Sequence, residues 1–250
     1  MSKTKATVTA VALSTFGLLL MGCLLPSDGD PVAGGEEPTT PASTGAAPRP
    51  ASTDSLEGKF QYETMDQYVD AVVPMVEQWI QKTWPGMDLP KVYYVPGGVS
   101  GREGCLDSDG RAALYNSKSY EYCPNDNAVY VGQDTLWEFY TETGDAGPAV
   151  GIAHEFGHHV QEVTRVPPPR TTDQSIRYEN QADCLAGAWT KFTDEQGWLE
   201  YPDDIEDIEA LFPIIGSAEG PDRDHGTARE RQDAFAEGFQ GGPTACGIRV

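Results

Sequence analysis

Apolar and polar positions alternate in three different ways along the 250-residue chain. After Lys3 and Lys5, an apolar run from Ala6 to Met21 is interrupted only by Thr and Ser, and it closes on Leu20-Met21-Gly22-Cys23. The run is too short to span a bilayer as a helix and has the layout of an export signal. From Pro26 to Ser55 the residues are Pro, Gly, Ala, Ser, Thr and acids, with almost nothing apolar to bury, so a flexible tether is expected over 23–58. Periodic patterning begins near Lys59 and continues to the C-terminus, which assigns residues 59–250 to a single domain.

Within that domain a helical spacing covers Met65 to Thr83, with Thr64 and Gln67 in a capping-box pattern and Pro74 as an interruption. Short β-branched and aromatic runs at Lys91–Val95, Ala112–Tyr115 and Ala128–Val131 read as strands. Ala128–Val131 is expected in the core, with a peptide-pairing edge as the alternative. Helices follow at Gln133–Thr143, at Pro148–Thr164 (stopped by Pro167-Pro168-Pro169) and at Gln174–Phe192. A last helix opens on the capping box Thr227/Glu230 and runs to about Phe239. Gly- and Pro-rich loops at Pro96–Gly104 and Val166–Arg170 are candidates to line a cleft. Short strands followed by helices give an α+β fold with a small antiparallel or mixed sheet.

Charge narrows the function. Seventeen basic against 39 acidic side chains give −22, and without residues 1–22 the balance is near −24. That field repels a phosphate backbone, which excludes nucleic acid as a partner, and it disfavours broad contact with anionic lipid. A preference for cationic substrates finds only weak support in it. Beyond Cys23 stand Cys105, Cys123, Cys184 and Cys246. Four cysteines without a C-x-x-C spacing in an exported domain suggest two disulfides, with three connectivities open. Cys105 with Cys123 would close a local loop, and Cys184 with Cys246 would tie the C-terminal tail to the domain.

The chemistry-bearing pattern is His154-Glu155-Phe156-Gly157-His158. Histidines four apart on a helix lie on one face, one turn apart, and can share a metal. Two neutral imidazoles suit Zn2+, and a third ligand leaves one position open. Three of the chain's four histidines fall within six residues, which disfavours a chance surface pattern. Glu179 is the expected third ligand, with Asp183 as the alternative. If Glu179 ligates, Asp183, one turn on, is placed to accept the free N–H of His154. A solvated acidic helix face is the plainer alternative, but Ala182, Leu185 and Ala186 argue for burial.

The stretches HEFGHHVQ, YENQADCLAGAW and DHGTARERQDAFAEGF, preceded by YEYCPNDNAVYVG, resemble in order and spacing the successive motifs of the bacterial neutral zinc metallopeptidases. The resemblance spans about Lys59 to Cys246. It implies a zincin-like fold, with the HExxH helix packed beside a second ligand-bearing helix, one zinc and endopeptidase activity. The family's usual Glu-Leu-Gln-Ala-Asp appears here as Glu179-Asn180-Gln181-Ala182-Asp183, a change between the functional positions that should leave ligation intact. Leu-x-Gly-Cys likewise resembles a bacterial lipobox. It implies that Cys23 is acylated and the domain anchored outside the cytoplasmic membrane, with an ordinary cleaved signal and a chance cysteine as the plainer alternative.

The expected reaction is metal-assisted hydrolysis of a peptide or protein, with Glu155 as general base and then general acid. His225, the remaining histidine, is the candidate oxyanion donor, and a capping role is its alternative. Tyr178 is a weaker candidate, and His159 reads as a residue that packs the helix or supports the ligands from behind. The competing class is a catalytically silent binding or scaffold lipoprotein of zincin shape. An amidase acting on peptidoglycan peptides is a third possibility.

Overall fold

The computed structural model describes residues 55–106, 110–218, 220, 223 and 225–250. The export segment, Cys23 and nearly all of the tether lie outside the described residues.

The fold is α+β. One 3-10 turn, Tyr62–Thr64, leads into α1, Met65–Thr83. The Thr64/Gln67 capping box does not form. Thr64 turns its hydroxyl back to accept from the Gln61 N–H at 2.9 Å, so it serves the preceding turn. Pro74 sits inside α1 without ending it. Burial of Val69, Val72, Val73, Val76, Trp79 and Ile80 along one stripe outweighs the single backbone hydrogen bond that proline removes.

Five strands follow: β1 (Lys91–Val95), β2 (Ser100–Leu106), β3 (Ala112–Asn116), β4 (Tyr120–Cys123) and β5 (Ala128–Gly132). β5 is the centre of a three-stranded sheet, parallel to β1 on one side and antiparallel to β4 on the other. All five of its residues are buried, so Ala128–Val131 is a core strand, and β4 takes the outer position. β2 and β3 form a separate antiparallel hairpin with a register shift between Arg102 and Leu106. β2 occupies much of the stretch read as a Gly-rich loop. Its glycines and charges carry no alternation, and pairing with β3 makes the strand. The Cys105–Cys123 disulfide joins β2 to the end of β4.

The helices are α2 (Gln133–Thr143), α3 (Ala146–Val163), α4 (Thr172–Glu195), α5 (Asp203–Ile215) and α6 (Ala228–Gly241). α3 lies at the centre, with Ile152, Ala153, Phe156 and Val160 fully buried. α5 was not expected from the sequence. Its acidic first turn, Asp203, Asp204 and Glu206, masks the apolar face formed by Ile208, Leu211 and Phe212. The expected capping box of α6 does form: Thr227 N–H donates to Glu230 at 2.9 Å, and Glu230 N–H donates to Thr227 Oγ1 at 3.3 Å. The second disulfide, Cys184–Cys246, ties the C-terminal segment to α4.

Candidate metal centre

Two close helix contacts build the site. At Gly157 a Cβ would lie 3.1 Å from the Ala182 carbonyl oxygen and 3.3 Å from Leu185 Cβ. The glycine inside the HExxH pattern therefore lets α4 settle against α3 where the histidines project. Gly187 and Gly238 do the same between α4 and α6, where a Cβ on either would collide with the facing backbone. The first contact brings Glu179 and Asp183 to the histidines, and the second brings Arg231 to Asp183.

His154, His158 and Glu179 converge. The two Nε2 atoms are 3.1 Å apart. Glu179 Oε2 lies 3.3 Å from the first and 3.5 Å from the second. A tetrahedral ion with ligand bonds of about 2.0–2.1 Å has ligand-to-ligand edges near 3.3 Å, so the spacing is that of three corners around one cation. The outer nitrogens fix the tautomers. His154 Nδ1 is 2.8 Å from Asp183 Oδ1, and His158 Nδ1 is 2.8 Å from Gln161 Oε1. Both partners accept, so in its neutral form each ring carries its proton on Nδ1 and turns an Nε2 lone pair inward. Two lone pairs and a carboxylate facing one point repel unless a positive charge lies among them.

The electrostatics agree. Burial alone pushes the His154 pKa down, but the Asp183, Glu179 and Glu155 carboxylates outweigh it and raise the value to about 10. His158 is raised in the same way, against burial, chiefly by Glu179. For Glu179, burial is outweighed by His158, His154 and His225, and its carboxyl is held well below the usual range. The pocket attracts positive charge.

Glu155 is buried beside this trio. Burial raises its pKa, and His154 and His158 oppose the rise, as does the backbone N–H of Tyr122 on β4. His225, from the turn before α6, brings Nε2 to 3.4 Å from Glu179 Oε2, with its side chain 14% exposed. It thus faces the trio and not the solvent. Tyr178 lies flat against the His158 ring, with centroids 5.3 Å apart and planes 15° from parallel. His159 is fully buried and points elsewhere, with Nε2 2.6 Å from the Asp88 carbonyl oxygen, where burial lowers its pKa. That is the packing position expected for it.

Three supporting side chains escaped the sequence reading. Arg231 donates from Nε to Asp183 Oδ2 and from a terminal nitrogen to Oδ1, both at 2.8 Å. It also donates to the Ile215 carbonyl at 3.0 Å. Gln161 accepts from His158 and donates to the Tyr178 carbonyl at 2.8 Å and to Gln181 Oε1 at 2.9 Å. Gln181 donates in turn to the Cys246 carbonyl at 2.8 Å. Gln161 stands three residues after His158, a spacing that places both on one helix face and was open to notice. Arg231 had no such signal, because its link to Asp183 spans 48 residues. Asn180 packs against Gly226, where an added Cβ would lie 2.4 Å from its Oδ1. The departure from leucine at this position therefore touches the His225 turn, although it leaves Glu179 in place.

Two other groups of potential ligands converge among the described residues. Glu103, Cys105 and Cys123 cannot serve while the two sulfurs are bonded to each other. Glu57, Asp145 and Asp207 are carboxylates only, with no nitrogen donor. The His154/His158/Glu179 group alone combines neutral nitrogen with carboxylate.

The sequence profile of the family described as "Putative neutral zinc metallopeptidase" matches residues 3–248. The chain belongs to that family. Among its relatives, the uncharacterized protein YpfJ of Escherichia coli K12 is 35% identical over 150 residues, covering 50% of this chain and 52% of YpfJ. The uncharacterized protein Rv2575 of Mycobacterium tuberculosis is 29% identical over 155 residues, covering 50% of this chain and 53% of its own length. The chain thus spans about half the length of the curated relatives it matches. No solved structure matches it significantly.

Proposed function

We propose that the protein is a zinc-dependent endopeptidase in which His154, His158 and Glu179 hold the metal and Glu155 moves the proton. The observation that carries this reading is the convergence of two Nε2 lone pairs and one carboxylate oxygen at 3.1, 3.3 and 3.5 Å, with both outer ring nitrogens already engaged. Zinc held by this trio supplies Lewis acidity, making water acidic near neutral pH and polarising a carbonyl. The chain's own groups do the rest. Asp183, itself clamped by Arg231, holds the proton on His154 Nδ1, and Gln161 holds the one on His158 Nδ1. Glu155 takes a proton from the attacking water and returns it to the leaving amine. His225 offers a donor toward the developing oxyanion. In the full chain this domain works outside the cytoplasmic membrane, anchored by lipid on Cys23. That part of the proposal rests on the export segment and its Leu-x-Gly-Cys ending.

Metal content and peptide cleavage test it together. Wild type is expected to carry one zinc per chain and to cleave an unstructured protein substrate. Glu179→Ala should lose the zinc. Glu155→Gln should keep the zinc and lose cleavage, because the amide cannot accept the proton. Full cleavage by Glu155→Gln would end the mechanism. Wild type that binds no zinc when supplied with it would give first place to a silent scaffold.

A further inference from the structure

The metal trio is flanked by a recess of about 490 Å3 whose walls include Val166, Pro167, Pro168, Arg170, Arg177 and Tyr178. Tyr178 belongs to both places, lining the recess while its ring stacks on His158. It also precedes Glu179 directly in the chain. The recess is therefore one side chain away from the proposed reaction centre.

Its charge runs against that of the molecule. The whole chain carries −22, yet residues 164–178 hold Arg165, Arg170 and Arg177 against Asp173 alone, 3 − 1 = +2. Arg170 and Arg177 are exposed and form no ion pair among the described residues. Arg231, by contrast, is saturated by Asp183 and the Ile215 carbonyl. In a protein with 39 carboxylates to choose from, two guanidiniums that line one recess without an ion partner among the described residues are unexpected as a matter of solubility. Pro167 and Pro168 line the same recess and stiffen its backbone there. A preformed recess with two forked donors and an aromatic face suits a carboxylate on an extended peptide.

We propose that Arg170 and Arg177 form a substrate-recognition subsite for a peptide carboxylate, so that the enzyme prefers acidic segments or free C-termini over neutral or basic ones. This reverses the cationic preference that net charge alone suggests. It rests on the peptidase reading for its cleavage readout, and on binding alone for its second readout.

The experiment uses the zinc-loaded protein and a neutral, C-terminally amidated fluorogenic peptide. One set of companions carries a single Asp at each successive position, and one companion has a free C-terminus. Gain in the first set assigns side-chain carboxylates, and gain in the last assigns the terminal one. One member is expected to exceed the neutral peptide in kcat/KM by about tenfold, mostly through KM. In Arg170→Glu/Arg177→Glu the acidic-to-neutral ratio should fall to one or below, and in Arg170→Lys/Arg177→Lys much of it should return. Fluorescence anisotropy with the same peptides on zinc-loaded Glu155→Gln reads binding without turnover. Neutral peptide cleaved, with no gain from a carboxylate anywhere, overturns the subsite. If nothing is cleaved, the peptidase reading fails, and anisotropy decides the subsite alone. Tighter binding of a carboxylate peptide that charge reversal abolishes sustains it, and equal binding overturns it.

Discussion

His158 donates its Nδ1–H to the Gln161 side-chain oxygen, and the direction of that hydrogen bond is settled by the next side chain in the series. Gln181 uses its amide nitrogen on the Cys246 carbonyl, so its oxygen is left to accept from Gln161. Gln161 must then present its own oxygen to His158. The series of amides fixes the tautomer that leaves Nε2 unprotonated, which is the form a metal requires. Gln161→Leu keeps the volume but strands the buried ring N–H. Zinc affinity, measured by competition against a chromogenic chelator, should fall about 10–100-fold, the effect usual for such partners. An unchanged affinity would mean that the orientation comes from packing alone. At this scale the sequence was readable where spacing is local. His154, Glu155 and His158 declare themselves within five residues, and Glu179 and Asp183 within another five. Arg231 and the link to Cys246 are products of the tertiary fold, and a linear reading offers no periodicity that points to them.

Elements with strong periodicity were legible for the same reason. α1, α2 and α6 each bury a stripe at helical spacing, α3 and α4 carry long buried runs, and β5 is a continuous apolar run. β2, β4 and α5 were missed because glycine, charge or an acidic first turn dilutes the pattern, and pairing or packing supplies what propensity does not. One consequence concerns the start of α3. Asp145 is buried there, with its backbone N–H donating to Glu57 at 3.1 Å while the Ala146 N–H donates to Asp207 at 3.2 Å. Burial, then repulsion from Asp204, Asp207 and Glu57, pushes its pKa up to about 7. Asp204 is raised to about 6, again chiefly by burial. A carboxyl that binds its proton more tightly folded than unfolded stabilises fully below its unfolded pKa near 4. That contribution is lost as pH rises through the folded value. Stability should therefore decline between about pH 4 and 7. Asp145→Asn, whose side chain caps nothing in α3, should raise Tm by a few degrees at pH 8 and hardly at all at pH 4.5. A variant that shifts Tm equally at both values would place the cause outside this carboxyl.

Over the whole molecule, the catalytic reading and the C-terminal segment depend on one another through the Cys184–Cys246 bond. It closes a separation of 62 residues, against 18 for Cys105–Cys123. Loop-closure entropy gives about 4 kcal/mol for the longer loop and about 3 for the shorter. The difference between the two bonds lies less in stability than in position. Cys184 follows Asp183 in α4, and the Cys246 carbonyl receives the last hydrogen bond of the series that begins at His158. Removing this bond frees the acceptor that orients Gln181, so the site should loosen along with the fold. Cys184→Ala/Cys246→Ala should lower Tm and also weaken zinc binding at a temperature where the chain is still folded. Cys105→Ala/Cys123→Ala, at the junction of β2 with β4, should lower Tm with little change in metal affinity. Near-ultraviolet circular dichroism establishes that each variant is folded, and chelator competition at that temperature reads the metal. Equal loss of zinc affinity in both pairs would show that the site responds to global stability alone, and the path from Cys246 to His158 would then carry no coupling of its own.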